Sequence, residues 1–117
     1  MAKILLVDDA LFALNVLAKM IGNEGYQIVR ATDGEEGLAE IEAGIPDIII
    51  SDLLMPNIDG LSFLRAIRKD HPKLPVIILS ANIQTSVRQK CLDAGASVFM
   101  HKPPNPEELR AAIEGLL

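Results

Sequence analysis

The feature that most constrains the fold is a rhythm of five short apolar runs, at residues 4–7, 26–31, 47–51, 75–80 and 96–100, recurring at intervals of about 20 to 30 residues. Each has the length and the aliphatic, largely β-branched character of a strand. The segments between them carry apolar residues at helical spacing: Leu14, Leu17 and Ile21; Leu38 and Ile41; Leu64 and Ile67; Val87 and Cys91; and Leu109, Ile113 and Leu116. The pattern predicts a β-α unit repeated five times. Helix boundaries are marked by Gly25, Gly44 and Gly95 as C-terminal breakers. Thr32 or Asp33 followed by Glu35 or Glu36, Asp59 before Gly60, and Asn105-Pro106-Glu107-Glu108 mark three N-termini.

Alternating βα units put parallel strands in one sheet with helices on both faces, joined by right-handed crossovers. Polarity then orders the strands. The first, third and fourth runs, Ile4-Leu5-Leu6-Val7, Ile48-Ile49-Ile50 and Val76-Ile77-Ile78-Leu79, are continuously apolar, as strands covered on both faces must be. The second carries Gln27 and Arg30 and the fifth Ser97 and His101, which suits sheet edges. The expected fold is therefore an α/β, flavodoxin-like (βα)5 doubly wound parallel sheet with strand order 2-1-3-4-5.

Length and composition limit the function. A chain of 117 residues, half of them apolar, makes one domain, 1–117, with a core that needs no disulfide or metal. The closing helix reaches Leu117, so no output domain is expected within the chain. A net charge of -5 and only four aromatics argue against direct nucleic-acid binding or a base-stacking platform. No apolar run approaches membrane-span length, and Met1-Ala2-Lys3 leading into a strand and two aspartates is no secretory signal. The single Cys91 fits a reducing compartment.

In an open parallel sheet the site lies beyond the carboxyl ends of the strands, where their order reverses, here between the first and third. The residues at those ends are Asp8 and Asp9, Asp52, Ser80 and Lys102. Any one acid could serve as a helix cap, but three converging carboxylates repel by roughly 4 kcal/mol per pair at about 4 Å and an effective dielectric near 20, so they take up a proton or hold a cation. All-oxygen ligands favour Mg2+ over Zn2+. With a lysine and a hydroxyl opposite, the set describes phosphoryl transfer to an aspartate.

On these residues the sequence resembles the receiver domain of two-component response regulators, in its single-domain chemotaxis-regulator-like form. The resemblance spans the whole chain. It rests on Asp8-Asp9 after the first run, Asp52-Leu53-Leu54-Met55-Pro56-Asn57-Ile58-Asp59-Gly60, Ser80-Ala81, Ala94-Gly95-Ala96 and Lys102-Pro103, in that order. It implies that Asp52 is the phosphoacceptor, served by a sensor histidine kinase, a phosphotransfer protein or a small phosphodonor. It implies Mg2+ organised by Asp8 and Asp9, with Asp9, Asp52 and the Leu54 backbone carbonyl as direct ligands. Ser80 and Lys102 would contact the phosphoryl group, the Lys102-Pro103 bond would be cis, and Phe99 would be the rotating switch aromatic. Fourth helix, fifth strand and last helix would form the output surface, read by a separate protein or a phosphorylation-dependent dimer. The resemblance implies a cytoplasmic phosphoacceptor rather than an enzyme with turnover.

Two features depart from many relatives. Phe99 lacks the hydroxyl of a tyrosine, and Leu54 and Asn82 flank the route of the hydrolytic water, where apolar Leu54 predicts slow loss of phosphate. Three other readings fit the residues less well. A Mg-dependent haloacid-dehalogenase-type phosphohydrolase would need Asp-x-Asp after the first strand, and Asp8-Asp9-Ala10 does not supply it. A flavodoxin-like electron carrier would need a Gly- and hydroxyl-rich phosphate loop there, and the nucleotide loops Gly-x-Gly-x-x-Gly and Gly-x-x-x-x-Gly-Lys are absent. A pseudo-receiver would lack Asp52 or Lys102. Cys91 reads as a buried small residue, His71 and His101 as surface histidines, Met55-Pro56 and Gly60 as turn residues, and Glu35, Glu36, Glu40 and Glu42 as a solvated helix face.

Overall fold

The structure, a computed structural model, describes residues 2–22, 25–55 and 57–117; Met1 and Pro56 of the motifs above lie outside the described residues. Strands and helices alternate: β1 (Lys3–Val7), α1 (Leu11–Ile21), β2 (Gln27–Ala31), α2 (Gly34–Ala43), β3 (Ile48–Asp52), α3 (Gly60–Asp70), β4 (Val76–Ser80), α4 (Thr85–Asp93), β5 (Val98–His101) and α5 (Pro106–Leu116). The five strands form one sheet in the order β2-β1-β3-β4-β5, every pair parallel, as the polarity of the runs required.

Side chains alternate across the pleat and build two cores. Ile4, Leu6, Ile48, Ile50, Ile77 and Leu79 point to one face, against Leu14, Leu17 and Ile21 of α1 and Leu109 and Ile113 of α5. Leu5, Val7, Ile49, Val76, Ile78 and Phe99 point to the other, against Ile41 of α2, Phe63, Leu64 and Ile67 of α3 and Cys91 of α4. β1, β3 and β4 are covered on both sides, which is why they read as unbroken apolar runs. Among the described residues no helix is long and apolar enough to cross a membrane.

Capping follows the chemistry of the boundary residues. Asp33 accepts from the Glu36 backbone N–H at 2.8 Å, while the Glu36 carboxylate accepts from the Thr32 backbone N–H and hydroxyl at 3.0 and 2.7 Å. Asp59 accepts from Ser62 N–H, and Asn105 from the N–H groups of Glu107 and Glu108 with Pro106 opening α5. One expected boundary moves. α1 stops at Ile21 rather than at Gly25, because Gly22 comes first and takes an extended backbone with positive φ (77°), open to glycine, that ends the helix. Gly60, read from the sequence as a turn residue, has a stricter reason. A Cβ there would lie 2.7 Å from the Asp52 carbonyl oxygen and the Leu53 Cα, so only glycine lets α3 start against the end of β3.

Candidate functional site

The strands end almost flush. Val7 pairs with Ser51, Asp52 with Leu79, and Ser80 with His101. Asp8 therefore leaves β1 beside the end of β3, Asp52 closes β3, Ser80 closes β4, and Lys102 follows β5. The sequence places Asp52 just past its strand; in the structure it is the last strand residue, held by the β-ladder, and Leu53 beyond it accepts from the Gly60 N–H at 2.7 Å. Backbone bonds fix the neighbours: Asp8 N–H donates to the Ala31 carbonyl, Leu53 N–H to Leu79, and Lys102 N–H to Ser80.

Asp8 (1% exposed) and Asp52 (8%) are buried, Asp9 is exposed, and one carboxylate oxygen from each lies within 4.8 Å of the others. The Lys102 ammonium reaches into the cluster, 2.7 Å from Asp8 Oδ2 and 2.8 Å from Asp52 Oδ2. Asp8 Oδ1 accepts from the Ala10 N–H at 2.9 Å, whereas buried Oδ2 accepts no well-formed hydrogen bond and is answered by the Lys102 charge alone. A buried, under-partnered carboxylate oxygen within reach of two further carboxylates is what a hard cation needs, so the residues fit a divalent ion.

Burial pushes the Asp52 carboxyl above the usual carboxylate range, and the nearby Asp8 charge adds to this. The hydrogen bond and charge of Lys102 and the Leu54 backbone N–H pull the other way without offsetting it. For Lys102, burial works against the charged form, but its bonds to Asp52 and Asp8 outweigh it and hold the ammonium above its ordinary value. The lysine thus stays charged, while the Asp52 carboxyl is held above its ordinary value.

Ser80 is buried, and its Oγ accepts from the Asn82 backbone N–H at 3.0 Å, tying the hydroxyl to the segment that leads into α4. Phe99 is buried in the core beneath α4. The Leu54 side chain is 73% exposed at the mouth. Asn57 holds a left-handed conformation (φ 69°) in the turn between β3 and α3, one that asparagine tolerates. The Lys102-Pro103 bond is cis. Asp8, Asp9, Asp52 and Lys102 therefore meet in one cleft, with Ser80 ending the adjacent strand. The double pairing of Lys102 and the Ser80 to Asn82 bond had no signal in the sequence beyond proximity. Cys91 is buried and its thiol is pushed up by burial, as a packing residue's would be.

This geometry can be set beside known proteins. The family described as "Response regulator receiver domain" matches residues 4–114. The chain is 32% identical over 115 residues to the alkaline phosphatase synthesis transcriptional regulatory protein PhoP of Bacillus subtilis, covering 98% of this chain and 48% of that protein. It is 37% identical to the response regulator MprA of Mycolicibacterium vanbaalenii, covering 98% and 50%. The chain thus spans about half the length of these curated relatives. Among solved structures, the chemotaxis protein CheY4 of Vibrio cholerae superposes with a TM-score of 0.92 at 32% identity, covering 100% of this chain and 99% of that one. A match over nearly the whole length, on a sheet of the same order and with the acidic cleft at its reversal point, makes this chain a member of the response regulator receiver domain family.

Proposed function

We propose that the chain is a phosphoacceptor whose Asp52 takes a phosphoryl group from the phosphohistidine of a sensor histidine kinase or phosphotransfer protein, or from a small acyl phosphate. The observation that carries this reading is Asp52 buried at the end of β3, with Lys102 at 2.8 Å and two further carboxylates around it. An Asp52 oxygen attacks phosphorus, the bond from phosphorus to the donor nitrogen breaks, and the imidazole leaves with the electron pair. Asp8, Asp9, Asp52 and the Leu54 backbone carbonyl would hold Mg2+, which when bound offsets the charge of the phosphoryl oxygens. Lys102 swings from its carboxylate partners to a phosphoryl oxygen, and the Ser80 hydroxyl donates to another. Positioning and charge complementarity supply most of the acceleration, with no turnover of a separate substrate.

Recruitment of Ser80 breaks or redirects its bond from Asn82, and Phe99, packed under α4, follows that loop. The altered surface is α4, β5 and α5, read by a partner protein, an attached domain or a second phosphorylated copy. The receiver spans 1–117 and acts in the cytoplasm. An apolar groove of about 390 Å3 beside Lys102, with exposed Phe12 on its rim and Val16, Met20 and Pro103 in its wall, favours a protein donor that covers apolar surface over a small molecule alone.

Binding of Mg2+ with beryllofluoride, an acyl-phosphate mimic, tests the site. One equivalent binding to the native chain and none to Asp52→Asn supports it; equal binding by both overturns it. A Leu54→Asn variant gives any hydrolytic water a polar neighbour and is expected to shorten the lifetime of the phosphorylated form by about 2- to 10-fold, the worth of one hydrogen bond. An unchanged decay rate would remove Leu54 from the account.

A further inference from the structure

We propose that Ser51 is a positioning residue for the Mg2+ and phosphoryl site: its hydroxyl fixes the peptide that follows Asp52, and through that peptide the Leu54 carbonyl. The proposal rests on the phosphoacceptor reading and adds the residue that aims its ligands. Ser51 stands out against its surroundings. It follows Ile48-Ile49-Ile50 in the middle of the sheet, is 0% exposed, and pairs with Val7 on one side and Ile78 on the other. Val7, Ile49 and Ile78 belong to the core packed under α2, α3 and α4, and the pleat turns Ser51 to the same face. A hydroxyl buried in such a place is costly unless it is hydrogen-bonded.

Ser51 Oγ donates to the Asp52 carbonyl at 2.9 Å. That carbonyl needs a donor. The ladder between β1 and β3 ends at Val7 and Ser51, so the Asp52 carbonyl lies past its last rung. The start of α3 closes over the same oxygen, since a Cβ on Gly60 would lie 2.7 Å from it. Among the described residues its hydrogen-bond donor is the Ser51 hydroxyl.

The other end of this peptide unit is the Leu53 N–H, which donates to the Leu79 carbonyl at 3.0 Å. One peptide plane is thus held from both sides, by Ser51 and by β4. The next plane is held in the same way: the Leu53 carbonyl accepts from Gly60 N–H at 2.7 Å, and the Leu54 N–H donates to the Asp52 carboxylate. Two fixed planes in series set the direction of that carboxylate and the place of Leu54, whose carbonyl would be the neighbouring Mg2+ ligand. Alanine at position 51 leaves the Asp52 carbonyl buried without its donor, and a turn of the peptide toward another donor displaces both ligands. Mg2+ demands near-ideal octahedral geometry at short distances, so a shift too small to unfold the chain still weakens the ion.

Mg2+ titration of the full chain at neutral pH, followed by the amide chemical shifts of Leu53, Leu54 and Gly60, tests this without any phosphoryl transfer. Ser51→Ala is expected to weaken Mg2+ binding by about 10-fold, the lower range for losing a group that holds a metal ligand in place. Ser97→Ala removes a comparable bond, from Val76 N–H to Ser97 Oγ at 3.0 Å, at the opposite end of the strands, and is expected to leave Mg2+ affinity unchanged. Mg2+ affinity of Ser51→Ala within about 2-fold of the native chain would overturn the proposal, being well short of the loss a displaced ligand brings. So would an equal fall in Ser97→Ala, which would make the effect one of general stability. If Ser51→Ala does not fold, Ser51→Cys, close in shape but a weak donor, decides by the same limits. Asp52→Asn separates the two levels. If it binds Mg2+ as the native chain does, or the native chain binds none, the phosphoacceptor reading falls and the role of Ser51 with it. If Asp52→Asn loses the ion and Ser51→Ala keeps it, the role of Ser51 alone falls.

Discussion

α3 and α4 pack on the same face of the sheet, yet they are built to different standards. α3 buries Gly60, Phe63, Leu64 and Ile67, is capped by Asp59, and begins in backbone contact with the end of β3. α4 buries Cys91 alone, has no side-chain cap, and begins on a loop tied to Ser80. The first arrangement keeps Asp52 where it is. The second leaves the neighbouring helix held by fewer buried groups, the kind of element whose local opening costs least. Firm and light anchoring are thus divided between adjacent helices, with Arg68 of α3 donating to the Gly95 carbonyl just beyond the end of α4.

The largest expected effect separates the two directly. Phe63→Ala should cost about 3 to 5 kcal/mol, the range for emptying a fully buried aromatic site, whereas Ile83→Ala at the exposed start of α4 should stay within about 0.5 kcal/mol. Urea unfolding of both variants measures the contrast, and comparable costs would break it.

Asp52 itself supplies the next test. The Asp52 carboxyl is raised by burial in the folded state, so its protonation favours folding: that contribution is fully present below the unfolded-state value of 3.8 and is lost as pH rises through the raised value. Asp52→Asn removes the buried charge. At neutral pH without metal it should be more stable than the parent by about 1 kcal/mol, a typical gain from relieving a functional strain, and its unfolding midpoint should decline less between acid and neutral pH. Mg2+ affinity of the native chain should fall as pH drops through the same raised value, because the ion needs the carboxylate ionised. A metal titration at several pH values checks this.

The smallest effect sharpens the comparison from the lightly anchored side. Gln84→Asp would give α4 the cap that α3 already has, with a gain of about 0.5 to 1 kcal/mol. If mobility of that end carries the signal, the beryllofluoride-induced change in exchange over residues 81–88 should shrink; an undiminished change would argue against it.

Much of this was legible in the sequence. Strand order followed from which runs could tolerate polar residues, and that order alone drew Asp8, Asp9, Asp52 and Lys102 together. What could not be read depends on the reach of side chains across turns distant in the chain. Lys102 bridges two carboxylates 50 and 94 positions away, and Arg68 finds a carbonyl 27 positions on. Neither contact has a periodicity. The α1 boundary differs for another reason: two glycines three residues apart, Gly22 and Gly25, both take positive φ, and the spacing of apolar residues does not say which of them ends the helix.

The central claim is that Asp52 is the phosphoacceptor. Incubation of the native chain and Asp52→Asn with acetyl phosphate and Mg2+, followed by intact-mass measurement, tests it most directly. The account predicts one phosphoryl adduct on the native chain, lost when the metal is chelated beforehand, and none on Asp52→Asn. No adduct on the native chain, or an equal adduct on the variant, would contradict it.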